Sequence, residues 1–491
     1  MINLKKHLQE NKLFFLFLAV HFIVWSSIGL IRNVLPTDSL EGIYWASLHD
    51  FGTPKHPPLA AWLTYIAYMP FKIDFFVYLL SQSFIIIGFI YIYKLAKDFL
   101  DQNSAMLSVI ILEGCWCYNY VTGYYGFNPD VVLYGMLPAI TYYFWKCMSK
   151  NLCIDWVKLG LCVGFAFLDK YQTGMLVIAM AIWAFIFRRK TYTNKFFYLA
   201  ISIAFFIFLP HLIWLIKYDF FPLLYFDNKL ATLVGFERVS HFLLFVLMQL
   251  VMTVGALLTF FALKFKAKSK FELTQNQDEK FWFLIIMMFV PFIIHLIMCL
   301  ISGGNVRPQW NYIFWYLIGI TLFYCFPIEI TQKEFSFTLK IAYTIMLIVF
   351  LSFGTMLTVE KNYRSRYPVS DVYSGIETLW HNECGNAPLK YIGGHTEWAY
   401  PLVIYSKSHP TYIMETFGYR NIWIDENDLK TSGAFIISRK SDEVIHYTKE
   451  NCPYLPTDYK IQPKEYSFEL YNALKMPRTY QIYYFIVPPM K

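Results

Sequence analysis

The sequence predicts a polytopic α-helical membrane protein of about eleven spans, closed by a C-terminal α/β domain. Three observations carry that expectation. The 491 residues are 57% hydrophobic and only 15% charged, where ordinary soluble domains are about 25% charged. Apolar runs long enough to cross a bilayer recur over the first three quarters of the chain. Beyond residue 360 the charge fraction rises and the apolar stretches shrink to short β-like runs.

The N-terminus, "MINLKKHLQENKLFFLFLAVHFIVWSSIGLI", has a basic start and an apolar core but no small-residue cleavage site. It reads as an uncleaved first span. Spans are expected near 13–31, 74–93, 104–121, 130–146, 152–168, 172–187, 196–216, 241–263, 281–301, 310–327 and 338–358. The connections then alternate between two sides. One side carries nineteen Lys and Arg, among them the "FRRK" and "KFKAKSK" clusters. The other carries eight: Arg32, Lys55, Lys72, Lys170, Lys217, Lys229, Arg238 and Arg307. The positive-inside rule puts the richer side in the cytoplasm. The +8 net charge therefore reflects loop asymmetry, and no nucleic-acid motif accompanies it.

This parity divides the chain into a transmembrane domain, 1–359, and an external α/β domain, 360–491. The outer loop 32–73 belongs to the first and holds "AAWLTYIAYMPF", too short to span and suited to an interfacial helix. In the tail, "LKYIGG", "PLVIYS", "GAFIISR" and "YQIYYFIV" are the candidate strands. Cys384 and Cys452 are the tail's two cysteines. A disulfide and two free thiols are both open readings. No CxxC or HExxH spacing signals a metal site.

Ionisable residues collect in the connections of the cation-poor side. Asp38, Glu41, His49, Asp50, Lys55 and His56 lie in the first outer loop. Asn128 and Asp130 sit in "GYYGFNPDVVLYG", Asp169 and Lys170 in "FLDKYQTGM", and Arg307 in "SGGNVRPQW". Asp219, Asp227, Lys229, Glu237, Arg238 and His241 surround another connection. Charges beside hydrocarbon are costly unless they meet water or a partner, so their convergence marks a functional face. Cations there suit a phosphate, and a carboxylate suits an incoming nucleophile. Each residue also has a plainer reading. Asp38 or Glu41 can cap a helix or be solvated, and Asp50 can belong to a turn. Asp130 can cap the fourth span, and Asp169 and Lys170 can form a local ion pair. His211, His241 and His295 can be satisfied interfacial histidines. Pro57 and Pro58 stiffen the loop.

The first outer loop resembles a known family. Asp38, Trp45, then Gly52-Thr-Pro-Lys-His-Pro-Pro-Leu59 and Trp62 follow the pattern of GT-C integral-membrane glycosyltransferases. The branch is that of protein O-mannosyltransferases and lipid A aminoarabinose transferases, including bacterial lipid A-modifying relatives. "FNPDVVLYGMLP", "FLDKYQTGMLV" and "RPQWNY" are similar to later family segments. Most relatives have adjacent Asp-Glu after the first span. Here Ser39 follows Asp38 and the next acid is Glu41, so either can match the family's key acid.

The resemblance implies an enzyme of the bacterial inner membrane with its site on the periplasmic face. It implies transfer of a sugar from a polyprenyl-phosphate donor, with inversion, to lipid A or a related lipid or glycan. Asp38 and Glu41 would be catalytic. Lys55, His56, Asp130, Asp169, Lys170 and Arg307 would bind substrate, with Lys55, Lys170 and Arg307 meeting the phosphate. No cofactor is expected, although a divalent cation is compatible with the chemistry. The bilayer, the lipid donor and the acceptor are the expected partners. The alternatives are a protein O-mannosyltransferase and a transporter or flippase of lipid-linked sugars. A transporter would favour paired repeats and broken spans at mid-membrane, neither of which is evident.

Overall fold

The computed structural model describes residues 11–223, 235–269, 272–273, 277–302, 306–359, 364–414, 421–472 and 474–490. Asp227 and Lys229 lie outside the described residues. In chain order the helices begin with α1 (Lys12–Ser26), α2 (Thr37–Ser47), α3 (Leu59–Tyr68), α4 (Phe75–Ala96), α5 (Gln102–Ile110) and α6 (Tyr120–Tyr125). Next come α7 (Pro129–Lys150), α8 (Cys153–Phe167), α9 (Thr173–Phe187), α10 (Lys195–Lys217), α11 (Gly235–Lys266) and α12 (Glu279–Ser302). The helical part closes with α13 (Gln309–Tyr312), α14 (Ile318–Cys325) and α15 (Gln332–Thr358).

Among the described residues, six helical stretches are long and apolar enough to cross a membrane: Lys12–Leu30, Phe75–Ala96, Lys195–Lys217, Gly235–Lys266, Glu279–Leu300 and Gln332–Thr358. The second expected span begins at Phe75, so Asp74 precedes the helix. The expected spans near 104–121 and 310–327 are each broken into short helical pieces.

The chain forms two compact bodies: residues 1–28, 51–63 and 75–353 in one, and 29–50, 64–74 and 354–491 in the other. In the first body, polar side chains set helix starts. Asp101 accepts from the Asn103 and Ser104 N–H groups and opens α5. Asn194 accepts from the Phe196 N–H and opens α10. These side chains satisfy amides that a helix start leaves without intrahelical acceptors. Close helix packing follows from small residues. Gly160 and Gly164 sit one turn apart on α8, against Ala200 and Ala204 of α10. A Cβ at Gly160 would lie 2.6 Å from the Ala200 carbonyl oxygen. The backbones therefore approach as in small-xxx-small membrane pairs.

The second body is built on α16 (Val369–Cys384), β1 (Tyr391–Gly394), α17 (Thr396–Tyr405), β2 (Thr411–Met414), α18 (Glu426–Ser432), β3 (Ala434–Ser438), α19 (Ser441–Asn451), β4 (Lys464–Tyr471) and β5 (Pro477–Val487). The sheet order is β2-β1-β3-β5-β4. Strand β1 is parallel to β2 and β3, and β5 is antiparallel to β3 and β4. Ile392 pairs with Phe435, and Ile436 with Phe485. One core cluster joins Tyr391, Ile413, Leu429, Ile436, Val444 and Val487.

Three of the four candidate strands lie on strands, but "PLVIYS" does not. It falls on α17, which His395 opens by accepting the Glu397 N–H at 3.4 Å. Trp398, Tyr400, Leu402, Val403 and Ile404 of that helix are all buried. Apolar side chains on nearly every side remove the helical period from the sequence, and Val and Ile then imitate a strand. Cys384 and Cys452 are both free thiols, the second within the core cluster.

Candidate functional site

In the first body the site starts at the "GTPKHPP" turn. Thr53 organises it: its hydroxyl donates to the His56 carbonyl at 2.7 Å and accepts the His56 N–H at 2.9 Å. Gly52 is required by crowding, because a Cβ there would lie 2.2 Å from the Trp214 ring. Pro57 and Pro58 lead into α3, where the Leu59 N–H donates to the Leu168 carbonyl at 3.0 Å. That bond ties the turn to the connection between α8 and α9, which carries Asp169 and Lys170.

Lys170 does not pair with its neighbour Asp169. Its Nζ lies 2.5 Å from Oδ1 of Asp130, forty positions away in the chain. Asp130 is free to do this because Asn128 caps α7, accepting the Val131 N–H at 3.2 Å, with Pro129 next in line. Asp169 is fully buried, and neither carboxylate oxygen has a hydrogen-bond partner among the described residues. Burial pushes its carboxyl well above the usual range; Lys170 opposes this shift and Asp130 adds to it. The carboxylate that Lys170 meets is that of Asp130.

His56 is held well below the ordinary histidine range, first by burial and then by the charges of Lys170 and Lys55. The three residues therefore share one electrostatic neighbourhood, in which the imidazole is neutral. Arg307 is exposed. Its carbonyl accepts the Trp310 N–H as the chain turns into α13.

Two histidines support this connection, and neither has a role in the sequence-based site. His211 of α10 bonds the Phe51 carbonyl through Nδ1 and the Tyr171 hydroxyl through Nε2, both at 2.7 Å. His295 of α12 bonds Gln172 at 3.2 Å and Asn311 at 3.1 Å. Both ring nitrogens of each histidine have hydrogen-bond partners, most of them far away in the chain. The sequence signal for their place is their polarity inside apolar spans. His241 lies elsewhere, bonding the Val306 carbonyl at 3.0 Å.

An apolar cavity of about 470 Å³ opens among α7, α8, α9 and α10. Phe144, Trp156, Phe167, Met180, Ala204 and Phe208 contribute to its wall, and Tyr171 marks its approach to the lysine connection.

In the second body, α2 bears both acids. Asp38 is exposed in its first turn, whereas Glu41 is only 5% exposed. Asp38, Glu41 and Trp45 recur at helical spacing and share a face. Helix α2 is fastened through Tyr44, whose hydroxyl donates to the Tyr412 carbonyl at 3.2 Å and accepts the Tyr412 N–H at 3.1 Å. Among the described residues no group of three His, Cys, Asp or Glu side chains is placed to hold a metal ion.

Residues 55–214 match the model of the dolichyl-phosphate-mannose-protein mannosyltransferase family. ArnT from Cupriavidus metallidurans bound to undecaprenyl phosphate superposes with a TM-score of 0.65 at 12% identity, covering 97% of this chain and 98% of that one. Its apo form gives a TM-score of 0.51 at 11% identity, covering 96% and 97%. No curated protein sequence matches the chain. Residues 55–214 carry the mannosyltransferase family's pattern, and nearly the whole chain has the fold of the ArnT structure.

Proposed function

We propose that the protein transfers a sugar, with inversion, from a polyprenyl-phosphate donor to lipid A or a related envelope lipid or glycan. The reaction takes place at the periplasmic face of the bacterial inner membrane. The observation that carries this reading is the apolar cavity that reaches Tyr171, next in sequence to Lys170. An isoprenoid tail suits the cavity, and its phosphate suits Lys170 with Lys55 and Arg307. Asp130 holds Lys170 until an anionic ligand shares it. A neutral His56 limits the repulsion among the cations. The ArnT structure of the same fold is a complex with undecaprenyl phosphate, which supports the choice of donor.

Asp38 and Glu41 are the candidates to orient or deprotonate the acceptor. If the acceptor is a phosphate, deprotonation is unnecessary and the acid positions groups instead. Eleven crossings, five of them through helices that are shorter, broken or less apolar than the other six, leave residues 360–491 outside. A protein acceptor is the second reading, favoured by the family named in the 55–214 match.

The test combines purified protein carrying Asp38→Asn, Glu41→Gln or both with polyprenyl-phosphate sugars. Mass spectrometry of lipid A and envelope glycans from a deletion strain identifies the acceptor. Transfer that stays unchanged in the double variant overturns the catalytic assignment. A deletion strain with intact lipid A and glycans but underglycosylated proteins overturns the acceptor.

A further inference from the structure

Lys170 stands in a short connection gripped on both sides. Behind Tyr171 is His211, and behind Gln172 is His295; both histidines are fully buried. Their hydrogen bonds fix their tautomers. A carbonyl oxygen can only accept, so Nδ1–H of His211 donates to the Phe51 carbonyl, and Nε2 is left to accept the Tyr171 hydroxyl. In the same way Nδ1–H of His295 donates to the Pro291 carbonyl at 3.0 Å and to Oδ1 of Asn311, and Nε2 accepts from the Gln172 amide. Each ring uses both nitrogens.

The second grip continues inward. Asn311 donates to Oε1 of Gln249 at 3.1 Å, and the Gln249 amide donates to the Pro308 carbonyl at 3.1 Å. Asn311 is fully buried and Gln249 is 3% exposed. A buried polar chain thus runs from Gln172 to Pro308, the residue after Arg307. Buried networks of this kind are costly unless satisfied, and they fix geometry when they are. Packing alone would be met more simply by apolar side chains in these helices.

We propose that His295 is a positioning residue for Lys170, acting through Gln172. It sets the lysine and the start of the Arg307 segment in one frame before the donor phosphate arrives, with His211 holding the adjacent Tyr171. The proposal rests on the reading that Lys170 receives that phosphate.

Two near-isosteric replacements separate the roles of the two ring nitrogens. An asparagine amide reaches where Nδ1 lies and keeps the Asn311 bond. A glutamine amide reaches where Nε2 lies and keeps the Gln172 bond. The assay is the Kd for undecaprenyl phosphate with the purified full-length protein, alongside thermal unfolding. Lys170→Met is expected to raise Kd about tenfold or more, the loss of a charge-assisted contact. His295→Asn raises it about fivefold, the loss of one neutral hydrogen bond. His295→Gln, which keeps the Gln172 bond and loses the Asn311 bond, raises it less. In a Lys170→Met background, His295→Asn adds nothing.

A His295→Asn variant at the wild-type Kd overturns the proposal, as does its full effect persisting on top of Lys170→Met. Equal weakening by both replacements, with equal loss of thermal stability, reduces His295 to a packing role and also overturns it. An unchanged Kd in Lys170→Met instead removes the phosphate reading beneath the proposal, an outcome visible without any His295 variant.

Discussion

Residues 37–47 and 51–63 follow each other closely in the sequence, yet each is fastened to a different body. The first stretch is helix α2, with its acids. It is held through Tyr44, which bonds Tyr412 of strand β2, while nearby Leu35 donates its N–H to the Tyr405 hydroxyl at 3.0 Å. The second is the Gly52–Pro58 turn, with its one cation, Lys55. It is held by the Thr53 hydroxyl, the Trp214 ring and the Leu168 carbonyl. One continuous motif therefore draws its stability from two cores. The acid-bearing and cation-bearing halves should respond to mutation independently.

The largest expected effect separates the two acids. Asp38→Asn should lower kcat about 100-fold or more, within the usual range for a lost acid-base group, and leave the unfolding temperature unchanged because Asp38 is exposed. Glu41→Gln should lower kcat less and also lower the unfolding temperature, since Glu41 is buried. Steady-state kinetics and thermal unfolding in detergent check both, and the reverse ranking moves the key role to Glu41.

Gly52→Ala comes next. The new methyl meets the Trp214 ring, an overpacking that costs about 1–3 kcal/mol. Unfolding should shift for the helical body while the C-terminal body keeps its transition. Tyr44→Phe should do the opposite at about 1–2 kcal/mol, because it removes both bonds to Tyr412. Hydrogen exchange resolved by peptide distinguishes the two bodies. A Tyr44→Phe effect confined to the helical body would break the comparison.

The smallest effect is one of pH. Asp74 lies in the second body, and burial pushes its carboxyl from 3.8 up to about 6. The Tyr405 hydroxyl, donating at 2.8 Å, opposes that rise. Between those values the folded protein keeps a proton that the unfolded chain releases. Stability should therefore fall as pH climbs through that window and level off above it. Asp74→Asn should flatten the slope in thermal unfolding measured at each pH.

Sequence reading locates the helices because apolar runs and their charged ends are local signals. It locates Lys170, Asp130 and the His-Pro-Pro turn for the same reason. It does not pair Lys170 with Asp130, because their contact is set by packing between α7 and α9 rather than by spacing. It offers Asp130 as a helix cap, where Asn128 fills that place one turn ahead of the Val131 amide. It cannot rank Asp38 against Glu41, because that ranking depends on which turn of α2 faces a core. The histidines stand out in the sequence as residues but not as supports, since their partners are a backbone carbonyl, a tyrosine and an amide from distant segments.

The free cysteines have a further use. Cys153, which opens α8, is exposed, and Cys384, which closes α16, is half-buried, while Cys452 is buried. In the proposed topology the first two thiols lie on opposite sides of the bilayer. The native protein thus carries its own compass. A maleimide too polar to cross lipid, added to spheroplasts, should tag the peptide containing Cys384 and spare that containing Cys153. The opposite pattern would turn the protein over in its membrane without the need to engineer a single residue.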